Sequence, residues 1–244
     1  MWMALGVVAP FVGSFLAVLV IRLPEGRPVL IARSICESCG HSLGPSDLFP
    51  LASWLWLQGR CRYCGGHFGT FYPAIELAAL AVVVWSATVT TGTTLVASCV
   101  LGWTLLTLAL IDWRAYILPD PIVMVLLVAG LFVAWLLLDS SQTMDHLIGA
   151  TAGFAVFVAI GSIYRAARNR DGLGLGDAKL LAALGAWLGW QGLPGVVLFA
   201  AILALTVVIG KSILGARLTL FDRLPFGPFL AVSGWLVWLY GIQI

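Results

Sequence analysis

Eight apolar runs alternate with polar links along this chain, near residues 2–21, 72–90, 93–111, 121–138, 147–164, 179–191, 193–210 and 226–242. A helix needs about 20 apolar residues to cross the hydrocarbon layer, where no water is present to satisfy free backbone groups. The pattern predicts an all-α polytopic membrane protein with about eight transmembrane helices, 179–191 being the shortest candidate. No basic residue precedes the run 2–21 and no A-x-A cleavage site follows it. It therefore reads as a retained first helix and not as a signal peptide.

The polar links divide the chain. Residues 22–71 form the one sizeable loop, and shorter links lie at Asp112–Asp120, 165–178 and 211–225. No fixed-period repeat and no low-complexity tract interrupts the pattern. The expected organisation is a first helix over 1–21, a loop module over 22–71 and a membrane domain over 72–244.

Composition excludes a soluble fold. The chain is 61% hydrophobic and 10% charged, with a mean hydropathy of +1.04, whereas soluble domains are about a quarter charged. The charges also orient it. With eight crossings, all 13 Lys and Arg residues fall on one side: Arg22, Arg27, Arg33, Arg60, Arg62, Arg114, Arg165, Arg168, Arg170, Lys179, Lys211, Arg217 and Arg223. The opposite turns near 91–92, 139–146 and 192 carry none. Basic residues are retained on the cytoplasmic side, so the large loop is expected in the cytoplasm and both termini outside. A net charge of +2 does not suggest a nucleic-acid partner.

Four of the five cysteines sit in the large loop as Cys36-Glu-Ser-Cys39 and Cys61-Arg-Tyr-Cys64. Two CxxC turns at this spacing suit tetrahedral Zn²⁺, and disulfides are rare in the cytoplasm. The expected module is a cytoplasmic zinc-binding loop whose metal is structural, since four thiolates leave no open position; four free thiols or a redox pair is the alternative. Gly40 and Gly65-Gly66 follow the two pairs, where tight turns are needed. His41 and His67 flank the pairs and are read as bystanders, and Cys99 as helix packing.

Acidic residues near membrane depth are functional candidates because burying a charge there is expensive. Asp112 ends one apolar run and Asp177 begins another after Gly-Leu-Gly-Leu-Gly. The topology puts both at cytoplasmic helix ends, where they can face each other. Two close carboxylates cannot both ionise cheaply and share a proton, so one serves as base toward water and the other as acid toward a peptide. The alternatives are a solvated helix-end carboxylate beside Arg114 for Asp112 and a helix N-cap for Asp177. Asp120, just before Pro121, reads as an N-cap. Gly174 and Gly176 would permit close approach to Asp177, and Lys179 is either its counter-ion or a snorkelling lysine. Glu76 either caps a helix start or reaches the site. Asp139 and Asp145 read as solvated or capping residues.

Several motifs recur in order along nearly the whole chain: Gly13-Ser14-Phe15-Leu16 with Arg22-Leu23-Pro24; the CxxC pairs around Leu51-Ala52-Ser53-Trp54-Leu55; Tyr72-Pro73 through Glu76-Leu77; Ile111-Asp112 through Leu118-Pro119-Asp120; Gly174-Leu175-Gly176-Asp177-Ala178-Lys179; and Pro225-Phe226-Gly227-Pro228. Together they resemble the type IV prepilin peptidases, membrane aspartic endopeptidases of the bacterial inner membrane. The resemblance implies that Asp112 and Asp177 are the catalytic pair. It also implies cleavage of a short basic leader from type IV prepilins or type II secretion pseudopilins, after a glycine at the cytoplasmic face. Members often then methylate the new N-terminus with S-adenosylmethionine, an activity associated with the cysteine-bearing loop; the alternative is a peptidase without methylation. Members commonly carry Asn where this chain has Ala17, and the stretch from Pro24 to Cys36 is short. Two other readings differ in class: a carrier with an aspartate relay, for which midplane charges and an internal repeat are missing, and a zinc-dependent pilus assembly protein.

Overall fold

The computed structural model describes residues 1–29, 33–168, 174–214 and 224–241. Arg170, Arg217 and Arg223, with parts of the links 165–178 and 211–225, lie outside the described residues. The described residues form α1 (Trp2–Arg22), α2 (Ala52–Trp56), α3 (Phe71–Val89), α4 (Gly92–Ala115), α5 (Asp120–Leu137), α6 (Ser140–Arg168), α7 (Leu175–Ile213) and α8 (Gly227–Tyr240), with no strand beyond two isolated bridges. Six of these, α1 and α3 to α7, are long and apolar enough to cross a membrane. The chain forms two compact units, Met1–Trp103 and Thr104–Ile244, dividing within α4.

In the first unit α1 packs along α3. Ala9, Val83, Leu95 and Cys99 form the buried cluster shared by α1, α3 and the start of α4, so Cys99 is packing, as expected. The indole N–H of Trp103 donates to the Ala79 carbonyl at 2.9 Å and ties α4 to α3. Such a bond holds well where no water competes for the carbonyl.

The second unit is built on α7, which packs against α5, α6 and α8. Lipid offers apolar contacts as good as another helix does, so close backbone approach at small residues holds such helices together. Gly149 of α6 and Gly185 of α7 face each other so tightly that a Cβ on Gly185 would overlap the Gly149 carbonyl. Gly185→Ala is therefore expected to lower stability by about 2 kcal/mol through overpacking, seen as a fall in the unfolding midpoint of the detergent-purified protein. An unchanged midpoint would mean the two helices part without loss. Trp187 fills the α5 side, buried, its N–H donating to the Leu126 carbonyl at 2.8 Å and its ring edge-on to Trp238.

Three boundaries differ from the apolar pattern. The runs 179–191 and 193–210 form one 39-residue helix, broken at Gly189, where φ is 71° and ψ 174°. That left-handed backbone is open to glycine at little strain. Asp145 fixes the break by accepting from the Trp190 indole and the Gln191 amide, both at 3.1 Å. It is therefore a part-exposed acceptor at the break and not a cap of its own helix. The break precedes the expected turn at 192 because the positive φ lies at Gly189, ahead of Pro194. Finally, α6 begins at Ser140, so the expected outer loop 139–146 is largely helix.

Candidate active site and metal centre

Asp112 lies in the last turn of α4 and is 6% exposed, so it is not a solvated end residue. The first amides of any helix have no intrahelical acceptor. At the start of α8 one of them is used: Gly227 N–H donates to Asp112 Oδ2 at 3.0 Å. The approach requires glycine, since a Cβ on Gly227 would stand 2.6 Å from the same oxygen.

Asp177 is the third residue of α7, whose N-cap is Gly174. Asp177 is half-buried, lies against the Gly174 backbone and is within Coulombic reach of Asp112. Gly174, not Asp177, holds the N-cap position; Asp177 stands at the third position of α7, and its carboxylate accepts from the Gly174 backbone amide. Gly176 rests on Leu118 of the α4–α5 link, with room for a Cβ only at 3.2 Å from the Leu118 Cβ. Lys179 Nζ donates to Asp120 Oδ1 at 2.6 Å, between α7 and α5. Lys179 is thus the partner of Asp120, and both side chains are open to solvent. The N-cap reading of Asp120 fails: Pro119 is the N-cap, Asp120 the first helical residue, and its carboxylate is turned to Lys179 instead of its own helix amides. Gly227 thus contacts Asp112 and Gly174 contacts Asp177, while Leu118 lies on Gly176 and Lys179 pairs with Asp120.

The cysteine module lies in the first unit. Its two halves repeat one turn: Gly40 N–H donates to Cys36 O at 2.8 Å and Gly65 N–H to Cys61 O at 2.9 Å, each glycine at φ 70°. The four Sγ atoms lie within 4.8 Å of one another, Cys36 and Cys64 at 3.9 Å. Four thiolates at about 2.3 Å from a tetrahedral ion stand about 3.8 Å apart, so the group is spaced to hold a metal. The Cys39 amide draws the Cys36 thiol down to about 7, toward the thiolate that binds metal. Cys36 and Cys61 are buried, Cys39 and Cys64 exposed. His41 and His67 are outside the group; His41 stacks on Tyr63 with ring centroids 3.7 Å apart. Arg62 Nε donates to Asp47 Oδ1 at 2.8 Å and braces the second turn. Cys61→Ser is expected to cut bound metal from about one ion per chain to nearly none, read by elemental mass spectrometry of the purified protein. Retention of the ion would mean that other groups hold it.

Glu76 is buried in α3, and its Oε2 accepts from the Leu51 amide at 2.8 Å. It therefore neither caps its helix nor stands free. It anchors the loop at Leu51, a non-glycine residue at φ 58°. Neither this anchor nor the Gly227 contact was legible beforehand, since 25 and 115 residues separate the partners.

Apolar helices, a four-thiol group spaced to hold a metal and an acid at each of two helix ends define a helical membrane protein. Residues 7–90 match the Bacterial Peptidase A24 N-terminal domain, and residues 99–209 the Type IV leader peptidase family. The chain is 37% identical over 259 residues to the prepilin leader peptidase/N-methyltransferase of Aeromonas salmonicida, covering 96% of this chain and 88% of that protein. It is 39% identical over 251 residues to the protein of the same description from Burkholderia pseudomallei (91% and 80% covered), and 35% over 260 residues to that from Pseudomonas aeruginosa (96% and 88%). The chain belongs to the type IV leader peptidase family. No solved structure matches it.

Proposed function

We propose that this chain is a prepilin peptidase of the bacterial inner membrane that cleaves the leader from type IV prepilins or type II secretion pseudopilins and then methylates the new N-terminus. The observation that supports the reading is that Asp112, buried at the end of α4, and Asp177, in the first turn of α7, lie within Coulombic reach of each other. One carboxylate takes a proton from the attacking water. The other, protonated, donates to the departing amine. The Gly227 amide holds Asp112 in one orientation, while Gly174 lets the Asp177 carboxylate lie against backbone and Gly176 lets Leu118 pack close to it. Lys179 and Asp120 neutralise each other and tie α5 to α7.

The same reading divides the work along the chain: the first helix over 1–21, the cysteine loop over 22–71 and the aspartic peptidase over 72–244. In this reading α7 crosses the membrane twice, turning at Gly189, which together with α8 makes eight crossings. All basic residues then face the cytoplasm, both termini face outward, and cleavage after a glycine takes place at the cytoplasmic surface. Zn²⁺ suits the four thiolates and, fully ligated, shapes the loop without entering the hydrolysis. S-adenosylmethionine is the co-substrate of the methylation.

Co-expression with a prepilin in a host without its own peptidase tests the reading. The mature product should appear one methyl heavier than the cleaved peptide alone. An unmethylated product would make this a peptidase only, and the favouring feature would be Ala17, which is buried in α1. Unprocessed substrate would overturn the reading.

A further inference from the structure

We propose that residues Leu48–Leu57 dip into the bilayer as a re-entrant element, so that Leu55 and Trp56 rest among lipid acyl chains. The ten residues Leu-Phe-Pro-Leu-Ala-Ser-Trp-Leu-Trp-Leu carry no charge, although they lie within the most polar loop of the chain. Their depth is set by two contacts within the first unit. The Phe49 ring packs edge-on against Phe11 of α1 at 5.3 Å between centroids. Phe11 lies about 16 Å along α1 from its polar end at Arg22, close to half the thickness of a hydrocarbon layer. Leu51 is bonded to Glu76, whose Cα would lie 2.6 Å from a Cβ on Gly13 of α1. Both anchors thus sit well below the end of a membrane-crossing helix.

Non-helical backbone survives at that depth only when its polar groups are satisfied within the protein. The amides of Leu51, Ala52, Ser53, Leu55, Leu57, Gln58 and Gly59 all donate internally, the first to Glu76 and the rest to carbonyls of residues 49–55. This also accounts for a buried carboxylate in α3: Glu76 supplies the acceptor for the amide of Leu51, the N-cap residue of α2. What remains outside is apolar. Trp56 is 87% and Leu55 66% exposed. Through Phe49 and Phe11 this surface continues the outward face of α1, where Val7 is 70% exposed. A patch of this kind in water is a liability; in lipid it is an anchor, with tryptophan at home near the headgroups. The element would pin the cysteine module to the membrane from below.

Photocrosslinking tests this with the full-length protein in vesicles of phosphatidylethanolamine and phosphatidylglycerol. Chains with p-benzoylphenylalanine in place of Trp56, of Val7 or of Glu37 are irradiated and weighed intact. The proposal expects lipid adducts at position 56 within about twofold of those at position 7, and few at position 37 in the knuckle, since acyl chains surround a buried apolar anchor. Lipid adducts at position 7 with none at position 56, or adducts of position 56 to a second copy of the chain, would overturn it. The readout is independent of turnover, so a failure here leaves the catalytic reading untouched, and the reverse.

Discussion

Asp112→Asn and Asp177→Asn are each expected to lower the rate of leader cleavage by at least about a thousandfold, the scale of losing general acid–base catalysis at a preorganised site. The change is nearly isosteric. At position 112 the side-chain carbonyl can still accept from the Gly227 amide, so the α4–α8 contact survives. What is removed is the ability to take or give a proton. Folding is followed separately through the metal of the cysteine group, which lies in the other compact unit. Each variant should keep its ion and its unfolding midpoint while losing turnover. Substantial cleavage by either would remove one acid from the chemistry and leave a structural carboxylate in its place.

The second large effect is expected at a residue with no reactive group. Gly227→Ala should lower kcat by about a hundredfold with KM little changed, the scale on which displacements near 1 Å act at a catalytic centre. Gly227 is the first residue of α8 and alanine is a good helix former, so backbone strain does not enter. The nearest obstacle is the Asp112 side chain, its Oδ2 2.6 Å from where the methyl would stand. Either the carboxylate turns away or α8 withdraws its amide, and in both cases Asp112 loses its fixed orientation. Gly6→Ala in α1 is the control, since nothing lies within 4 Å of the added methyl. Its rate should equal that of the unaltered chain. Undiminished cleavage by Gly227→Ala would show that the amide contact does not position Asp112.

Much of this was readable from local pattern, because the signals are local. A continuous apolar run marks a membrane helix whatever lies around it, and two CxxC turns bring two sulfurs together on their own. The spacing of Cys36, Cys39, Cys61 and Cys64 needed only the loop to close once. Asp112 and Asp177 stood out because charge at the end of an apolar run is rare. What surrounds them was not readable. Gly227 meets Asp112 across 115 residues, and neither residue type announces the contact. Asp120 followed by Pro121 has the local form of a cap, yet a cation on another helix, Lys179, outcompetes the helix amides for its carboxylate. Asp145 looked solvated because its partners, Trp190 and Gln191, come from the break in α7. Gly189 was one glycine among 27, and only the packed helix reveals its positive φ. Glu76 left two roles open, and its bond to the Leu51 amide was hidden because it is set by the loop folding back onto α3.

The central claim is that Asp112 and Asp177 act as one unit, and a double-variant comparison tests it most directly. Groups that share one proton transfer lose their function together, so removing the second after the first costs little more. Initial cleavage rates are measured for the unaltered chain, both single Asn variants and the Asp112→Asn/Asp177→Asn chain, in the same vesicles with the same prepilin. The account predicts that the double variant is no slower than the slower single one, within about threefold. Losses that multiply, each variant subtracting its own share of the rate, would mean two independent sites of action and would contradict the paired mechanism.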